Sequence, residues 1–310
     1  MNDKRIIFLG TPEISAYVLK GLVDNGFNVV GVVTKEDKIR SRNKKLEESE
    51  VAKMAHELSI PVHKPHRLNK DFQFIKDLHP DLLLTFAYGQ LISDEILALG
   101  TYKPLNLHGS ILPKYRGAAP MQYALRNGDT KTGVSLMEMV HEMDAGDVYA
   151  IKEFPLDICD NYTTTCDKMK VAALELAIEA LPLYFENKLE GKKQNEDEAT
   201  FCPTIKKEEE HLKLDQSPAE FINQVRSLSL TPGGYLLEDD ENIKIYEASY
   251  YNNKEEAELG TIILAHKKNI ILQVKGGQVL IKSLQRPGKK IMTASDFNNG
   301  VHNFEGTILK

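Results

Sequence analysis

The first half of the chain alternates short apolar runs with stretches of helical periodicity. An apolar run of about four to eight residues between charged or turn residues is typical of a buried strand, whereas apolar residues three or four positions apart are typical of a helix. The predicted strands are RIIFL, NVVGVVT, IPVH, DLLLTFA, PLNLHGS and GVSLMEMV, and the predicted helices lie around residues 12–24, 47–58, 69–78, 93–98 and 119–127. This alternation predicts an α/β fold with a Rossmann-like, mostly parallel sheet that is covered on both faces.

The second half of the chain changes from a helical pattern to strand patterns. A long helical pattern covers residues 163–189, and the charged and small polar stretch EGKKQNEDEATFCP follows it. After a short predicted helix at 217–229, the runs NIKIYEASY, GTIILAH, IILQVKG and GQVLIKSL are separated by glycine, asparagine and charged residues. Such short strands predict a small β-barrel. We therefore expect two domains, residues 1–190 and 208–310, joined by a linker at 191–207.

The turn after the first predicted strand, GTPEIS, indicates how the first helix begins. Thr11 offers a hydroxyl for the N-cap position, and Pro12 suits the first helical residue. The turn lacks the GxGxxG spacing that cradles a dinucleotide, so a nicotinamide or flavin dinucleotide is not expected here.

Composition places the chain among ordinary globular proteins. Hydrophobic residues make up 42% of the 310 residues and charged residues 27%, which indicates neither disorder nor a fibrous protein. The N-terminus passes from charged residues directly into a strand, without the apolar core of a signal peptide, and no apolar run is long enough to span a membrane. We expect a cytoplasmic protein with no membrane partner, and the composition implies no particular oligomeric state.

The cysteines and histidines do not predict a metal site. Cys159, Cys166 and Cys202 are odd in number and lack CxxC spacing, which argues against a disulfide framework and against zinc. His63 and His66 have no carboxylate or cysteine close by in the sequence. We expect ordinary thiols and no metal.

Charge is distributed unevenly along the chain. The net charge is −6, but residues 261–310 contain eight basic and two acidic residues, a balance of +6 that leaves −12 for residues 1–260. A basic C-terminal surface that contacts nucleic acid is therefore compatible with an acidic protein. The predicted loop KEDKIRSRNKK at 35–45 has six basic and two acidic residues. The loop either contacts nucleic acid in the same way or is simply a solvated charged segment.

The stretch LNLHGSILPKYRGAAP carries the candidate chemistry. Side chains two residues apart on a strand lie on one face, so Asn106, His108 and Ser110 are predicted to project together. Ligands of open α/β sheets bind outside the carboxyl ends of the strands. The later stretch MVHEMDAGDVYA follows another predicted strand and adds a carboxylate, Asp144. These residues predict an active site at this edge of the sheet.

This set of groups fits acyl transfer between two bound substrates. It offers an amide donor, a titrating imidazole and a carboxylate, without the arrangement of a Ser or Cys nucleophile. The attacking amine would then belong to a substrate. On this hypothesis Asn106 and protonated His108 stabilise the oxyanion, while Asp144 holds His108 charged and receives a proton directly or through water.

The motif NLHGSILPKYRGAAP, together with MDAGDVY, resembles the signature of the formyltransferases that use 10-formyltetrahydrofolate. Further likeness lies in IIFLGTPE at the start, DLLLTFAYGQLI before the predicted catalytic strand, and GTIL, LQRPGKK and MTASDF in the tail. The resemblance thus covers nearly the whole chain. An Asn-x-His pair with an aspartate 36 residues after the histidine, and HGSxLPxYRG between them, is a highly specific combination.

The resemblance implies an activity, a co-substrate and a partner. The chain is expected to transfer a formyl group from 10-formyltetrahydrofolate to the methionine amine of initiator methionyl-tRNA, for translation initiation, without a metal and without DNA. A Rossmann-like catalytic domain would precede an OB-like barrel whose basic side faces the tRNA. Asn106, His108 and Asp144 match the family's catalytic trio.

The resemblance also implies two sets of binding residues. The predicted tRNA contacts are Arg42, Lys44 and Lys45, in the charged loop. Phe86 and Tyr88 have an alternative place in the hydrophobic core, because aromatic residues beside a buried strand are usually core residues. The predicted folate contacts are Phe86, Tyr88, Gln90, Leu91, Ile92, Ser110, Ile111, Leu112 and Pro113.

Two alternatives of different classes stay open on the sequence. An amino-sugar N-formyltransferase or a formyltetrahydrofolate hydrolase would use the same trio, but such relatives lack a tRNA-directed barrel joined to a basic loop. A non-catalytic RNA-binding module built on an OB-like barrel would leave the trio unexplained. The C-terminal 80 residues therefore distinguish the expected activity from the first alternative, and the trio distinguishes it from the second.

Overall fold

The computed structural model describes residues 3–39 and 46–310. The predicted tRNA contacts Arg42, Lys44 and Lys45 lie outside the described residues. The chain forms two compact units, and the second takes in two short segments from earlier in the chain. The first unit comprises Met1–Pro120, Thr132–Phe154 and Cys166–Cys202, and the second comprises Met121–Lys131, Pro155–Thr165 and Pro203–Lys310.

Strands and helices alternate in the first half of the chain, and strands dominate the last third. In chain order the strands are β1 (Ile6–Gly10), β2 (Val29–Val33), β3 (Lys38–Ile39), β4 (Leu46–Glu47), β5 (Val62–His63), β6 (Leu82–Phe86), β7 (Leu105–His108), β8 (Arg116–Gly117), β9 (Lys131–Glu138), β10 (Val148–Pro155), β11 (Phe201–Cys202), β12 (Gly234–Glu238), β13 (Glu241–Asn252), β14 (Ile262–His266), β15 (Asn269–Val274), β16 (Gly277–Gln285) and β17 (Met292–Thr293). The helices are α1 (Glu13–Asp24), α2 (Glu50–Glu57), α3 (Gln73–Asp77), α4 (Asp94–Leu97), α5 (Pro120–Arg126), α6 (Tyr162–Phe185), α7 (Pro218–Leu228) and α8 (Ala294–Gly300).

The first unit is built on a seven-stranded sheet in the order β10-β9-β7-β6-β1-β2-β5. The five neighbouring strands β7, β6, β1, β2 and β5 pair in parallel, and β9 pairs antiparallel to β7. All five residues of β1 and of β6 are buried, as expected of parallel strands whose two faces are both covered. The predicted Rossmann-like, mostly parallel sheet is confirmed.

The sheet reverses its strand order around β1, which places the carboxyl ends of β1 and β6 side by side. One hydrogen bond connects the loop after β1 to the loop after β6: the Thr11 hydroxyl donates to the Tyr88 carbonyl over 3.2 Å. The prediction that Thr11 caps α1 is therefore wrong. The N-cap is Pro12, which has no side-chain donor or acceptor to offer the helix, while the Thr11 hydroxyl stabilises the edge where ligands of such sheets bind.

The second unit has its own core beneath an antiparallel sheet in the order β12-β13-β16-β15-β14, with β17 beside β16. Phe221 and Leu228 of α7 belong to this core, together with Ile245 of β13 and Ile281 of β16. Helix α7 begins at a capping box, in which Ser217 and Glu220 satisfy each other's backbone amides. The β-rich C-terminal domain predicted from the short strand runs is confirmed.

Residues 306–310 close this antiparallel sheet. Leu237 of the edge strand β12 and Lys310 exchange two backbone hydrogen bonds of 2.7 and 2.9 Å. On the side of the other edge strand, the Leu309 amide donates to the Gly260 carbonyl over 2.9 Å, and the Ile262 amide donates to the Thr307 carbonyl over 2.8 Å. The segment therefore satisfies backbone groups at both edges. Among the described residues, no helix has both the length and the apolar composition needed to cross a membrane.

Candidate active site

Asn106 lies in β7, with a neighbour on β6 that fixes its amide. It is half-buried, and its register partners are Thr85 on β6 and Met137 on β9. The Thr85 hydroxyl donates to Asn106 Oδ1 over 2.6 Å. Because this oxygen is occupied, the amide group of Asn106 is oriented so that Nδ2 is the atom available as a donor.

His108 ends the same strand and is almost fully buried, at 5% exposure. Its Nε2 lies 2.8 Å from the Tyr115 carbonyl oxygen, and its Nδ1 lies 3.6 Å from Oδ2 of Asp144. A carbonyl can only accept, so the proton on Nε2 is fixed by this contact. The other ring nitrogen, Nδ1, is the one that faces the Asp144 carboxylate.

Asp144 reaches the histidine from the loop between β9 and β10, residues 139–147, which we call the carboxylate loop. Its backbone has a φ of +52°, in the left-handed region, and Oδ2 accepts a hydrogen bond of 2.8 Å from the Gly117 amide. Two glycines allow this approach. A Cβ on Gly146 would collide with the Glu138 carbonyl, and a Cβ on Gly117, where φ is +124°, would lie 2.7 Å from the Cys202 carbonyl oxygen.

Ser110 does not continue the row formed by Asn106 and His108. Strand β7 ends at His108, and the fully buried Ser110 hydroxyl donates to the Lys114 carbonyl over 2.6 Å. The prediction that its side chain projects with the other two is wrong, because the chain turns there. The hydroxyl instead stabilises the loop that follows β7, residues 109–119, which we call the catalytic loop.

The remaining predicted folate residues of the catalytic loop are held by β9. Ser135 Oγ donates to the Ser110 carbonyl over 2.7 Å and accepts from the Leu112 amide over 3.1 Å. Leu112 is buried against Met137 and Val148, whereas Ile111 and Pro113 are half-buried. The loop thus has a fixed path beside the trio.

The folate residues predicted after β6 divide between core and surface. Phe86 is buried, and Tyr88 packs in a hydrophobic cluster with residues such as Ile7 and Leu83. Burial raises the pKa of the Tyr88 hydroxyl to about 12, and this hydroxyl has no hydrogen-bond partner within the described residues. The other three predicted residues differ in exposure: Gln90 is half-buried and accepts from the Leu68 amide over 3.2 Å, Ile92 is half-buried, and Leu91 is 82% exposed.

The charged loop at 35–45 is anchored on both sides by one lysine. Lys64 Nζ lies 2.8 Å from Asp37 and 2.6 Å from Glu48, and the short strands β3 and β4 pair between these two carboxylates. Partial burial works to lower the pKa of Lys64, but the hydrogen bonds to Asp37 and Glu48 outweigh it and leave the pKa raised. Lys64 therefore remains charged and joins the two ends of the loop.

Sequence reasoning missed two side chains that touch this site. Thr85 could have been found, since it is the one hydroxyl within the apolar run DLLLTFA. Gln194 had no local signal; its amide donates to the carbonyls of Asp144 and Gly146, over 2.8 Å in each case. Within the described residues no cluster of His, Cys, Asp or Glu side chains has the composition of a metal site.

Two family models match the chain. The model described as formyl transferase matches residues 4–181, and the model described as formyl transferase, C-terminal domain, matches residues 204–302. The chain belongs to the formyl transferase family.

Within that family, two relatives with more than a third of their residues identical carry the same name. The methionyl-tRNA formyltransferase of Lactobacillus gasseri is 37% identical over 297 residues, which cover 95% of both chains. That of Bacillus subtilis is 37% identical over 308 residues, covering 98% of this chain and 97% of the relative. An N-formyltransferase from Helicobacter canadensis, solved with folinic acid and dTDP-3-aminofucose, superposes with a TM-score of 0.68 at 18% identity, over 91% of this chain and 99% of that one. At this identity the likeness shows a shared fold.

Proposed function

We propose that the protein transfers a formyl group from 10-formyltetrahydrofolate to the amino group of methionine on initiator methionyl-tRNA. The observation that carries the proposal is the grouping of Asn106, His108 and Asp144 at the carboxyl edge of the sheet. The near full-length similarity to proteins named methionyl-tRNA formyltransferase supports the choice of acceptor. We infer that the reaction takes place in the cytoplasm, beside translation.

Asn106 and His108 would stabilise the negative charge that develops on the formyl oxygen. Nδ2 of Asn106 is the oriented donor, because the Thr85 hydroxyl holds Oδ1. The protonated His108 ring adds positive charge next to it. A donor aimed at a developing oxyanion is typically worth about 10²- to 10³-fold in rate. Attack joins the amine nitrogen to the formyl carbon and breaks the bond between that carbon and folate N10.

Asp144 would keep His108 protonated and take the proton that the attacking amine loses, directly or through water. Its Oδ2 lies between a fixed donor, the Gly117 amide at 2.8 Å, and the imidazole at 3.6 Å. A carboxylate so held suits proton transfer at this position. The proton is then available to the N10 leaving group.

The folate would lie against the catalytic loop and the residues that follow β6. This position is supported by the rigid path of Ser110–Pro113 and by the buried, unpartnered Tyr88 hydroxyl within the described residues. We propose that the reaction uses no metal ion. The charged loop with Arg42, Lys44 and Lys45, and the basic residues of 261–310, would contact the tRNA backbone.

The direct test supplies the purified protein with 10-formyltetrahydrofolate and measures formyl incorporation. We expect incorporation into methionyl initiator tRNA and little into methionyl elongator tRNA. Formate release without any acceptor, or transfer to an amino-sugar nucleotide in place of tRNA, would refute the proposal.

Substitution of two members of the trio tests the mechanism separately from the activity. Asn106→Ala and His108→Ala should each lower kcat by about 10²-fold or more, because each removes stabilisation of the transition state. Turnover of both variants within about threefold of the wild type would contradict the roles assigned here.

A further inference from the structure

The chain segment 192–202, which we call the strap, lies along both loops of the candidate active site. At its start Lys192 and Val148, which begins β10 after the carboxylate loop, exchange two backbone hydrogen bonds of 2.9 Å. At its end the Arg116 amide donates to the Thr200 carbonyl over 2.8 Å, and the Ala118 amide donates to the Cys202 carbonyl over 2.9 Å. The strap therefore belongs to the first unit, although its composition alone predicted a linker.

The strap also holds the carbonyl that fixes His108. The Tyr115 amide donates to Thr200 Oγ1 over 2.9 Å. Cys202 Sγ donates to the Tyr115 carbonyl oxygen over 3.1 Å, the same oxygen that lies 2.8 Å from His108 Nε2. Burial raises the pKa of the Cys202 thiol to about 11, so the thiol keeps its proton as a donor at neutral pH. The position of the imidazole thus depends on the strap.

Gln194 is the residue of the strap that reaches the carboxylate loop. Its Nε2 donates to the carbonyl oxygens of Asp144 and Gly146, over 2.8 Å in each case. Its Oε1 accepts a bond of 3.0 Å from Nε of Arg116, whose guanidinium is buried and paired with Glu196 over 2.7 and 2.9 Å. The amide of Gln194 is therefore itself fixed in orientation.

We propose that Gln194 is a positioning residue for Asp144 and, on the proposed function, sets its distance from His108. Asp144 adopts a left-handed backbone conformation, which is uncommon for non-glycine residues although aspartate tolerates it better than most, so contacts to its backbone help to hold it. The two donations from Gln194, to the carbonyls of Asp144 and Gly146, hold the backbone of the carboxylate loop, while the Gly117 amide holds the carboxylate. Removal of the Gln194 amide leaves the loop free to relax and carry the carboxylate away from the ring.

The test compares crystal structures and kinetics of the wild type, Gln194→Met and Asn195→Ala. Methionine has a similar length to glutamine but lacks the amide. Asn195 is a matched control, since this exposed neighbour bonds within the strap alone, to the Asp197 amide at 3.2 Å and to Glu198 at 3.0 Å. If Gln194→Met does not fold, Gln194→Glu takes its place, because it keeps an acceptor for Arg116 but cannot donate to Asp144.

We expect Oδ2 of Asp144 to move away from His108 Nδ1 in the Gln194 variant alone. Its kcat should fall about ten- to a hundredfold, since a displacement of about 1 Å can cost that much, with KM for both substrates within about twofold. A kcat within about twofold of the wild type, or a lower kcat with Asp144 unmoved, overturns the proposal. A wild type that does not formylate methionyl-tRNA refutes the proposed function, and the crystal structures still decide whether Gln194 positions Asp144.

Discussion

At the scale of single residues, the hydroxyl of Thr85 fixes the orientation of the Asn106 amide. It donates to Oδ1 over 2.6 Å from the neighbouring strand. Thr85→Val keeps the shape of the side chain and removes that bond, so the amide can rotate. We expect kcat to fall about tenfold, less than for loss of an oxyanion donor itself, as measured with both substrates saturating.

A second buried threonine provides the control for this prediction. Thr34 is fully buried, and its hydroxyl lies 2.7 Å from Ser49 Oγ. Thr34→Val and Thr85→Val should each lose about 1 kcal/mol of unfolding free energy through a lost hydrogen bond. An equal loss of kcat in both variants would mean that Thr85 acts through stability alone.

Two buried tyrosines should respond differently to loss of the hydroxyl. The Tyr184 hydroxyl donates to the Lys103 carbonyl over 2.9 Å, so Tyr184→Phe should cost about 1 kcal/mol. The Tyr88 hydroxyl has no partner within the described residues. Tyr88→Phe should therefore leave the unfolding free energy unchanged or raise it by up to about 1 kcal/mol, as measured by urea unfolding at neutral pH.

The same tyrosine gives a prediction about alkaline pH. Burial raises the pKa of Tyr88 from 10.0 to about 12, so the unfolded chain ionises this group before the folded protein does. The stability that this group contributes is complete below pH 10 and is lost as the pH rises towards 12. Tyr88→Phe should show a smaller loss of unfolding free energy over this interval; an identical loss in both proteins would show that Tyr88 does not titrate in this way.

Local spacing predicted some features of the site, and long-range contacts account for the rest. The two-residue period placed Asn106 and His108 in one strand, because alternation is a property of the strand itself. It failed at Ser110, since the strand ends two residues earlier. The bond from Gln194 to Asp144 joins residues 50 positions apart, and no periodic pattern in the sequence records such a contact.

At the scale of elements, Lys64 holds the base of the charged loop from outside it. Lys64→Met removes both ion pairs, with Asp37 and with Glu48. If the loop binds tRNA, loss of these two ion pairs should raise KM for tRNA by about three- to tenfold. KM for folate and kcat should stay unchanged, because only the binding of tRNA is affected. Initial rates over a range of tRNA concentrations measure this effect.

Lys152 is a matched control for Lys64. It is also held by two carboxylates, Glu175 at 2.9 Å and Glu179 at 2.7 Å, with a side-chain exposure of 29% against 23% for Lys64. Lys152→Met should leave KM for tRNA unchanged. A similar rise in KM for both variants would indicate a general loss of stability and would contradict a specific role for Lys64.

Element boundaries followed the apolar pattern where one face or both faces of an element are buried. The long helical pattern at 163–189 corresponds to α6, Tyr162–Phe185. The N-cap of α1 was wrong because the Thr11 hydroxyl bonds to a loop 77 residues away. The strap was not predictable, since its many backbone bonds depend on the path of the catalytic loop and not on its own composition.

At the scale of the whole molecule, charge is distributed unevenly along the chain. Residues 261–310 hold a balance of +6 in a chain of net −6. We expect KM for tRNA to rise steeply with salt, and the slope to flatten when Arg42, Lys44 and Lys45 are neutralised, because fewer phosphate contacts release fewer counterions. Steady-state rates at several salt concentrations measure the slope. A change in KM for folate alone would contradict this assignment.

Residues 306–310 pair with both edges of the antiparallel sheet in the second unit, so their loss should affect both edges. Loss of 306–310 would leave backbone amides and carbonyls of β12 and β14 unpaired at the same time. Exposed strand edges recruit other strands, so a variant that lacks residues 306–310 should self-associate more than the wild type. Light scattering of the variant and the wild type at equal concentration would reveal that change.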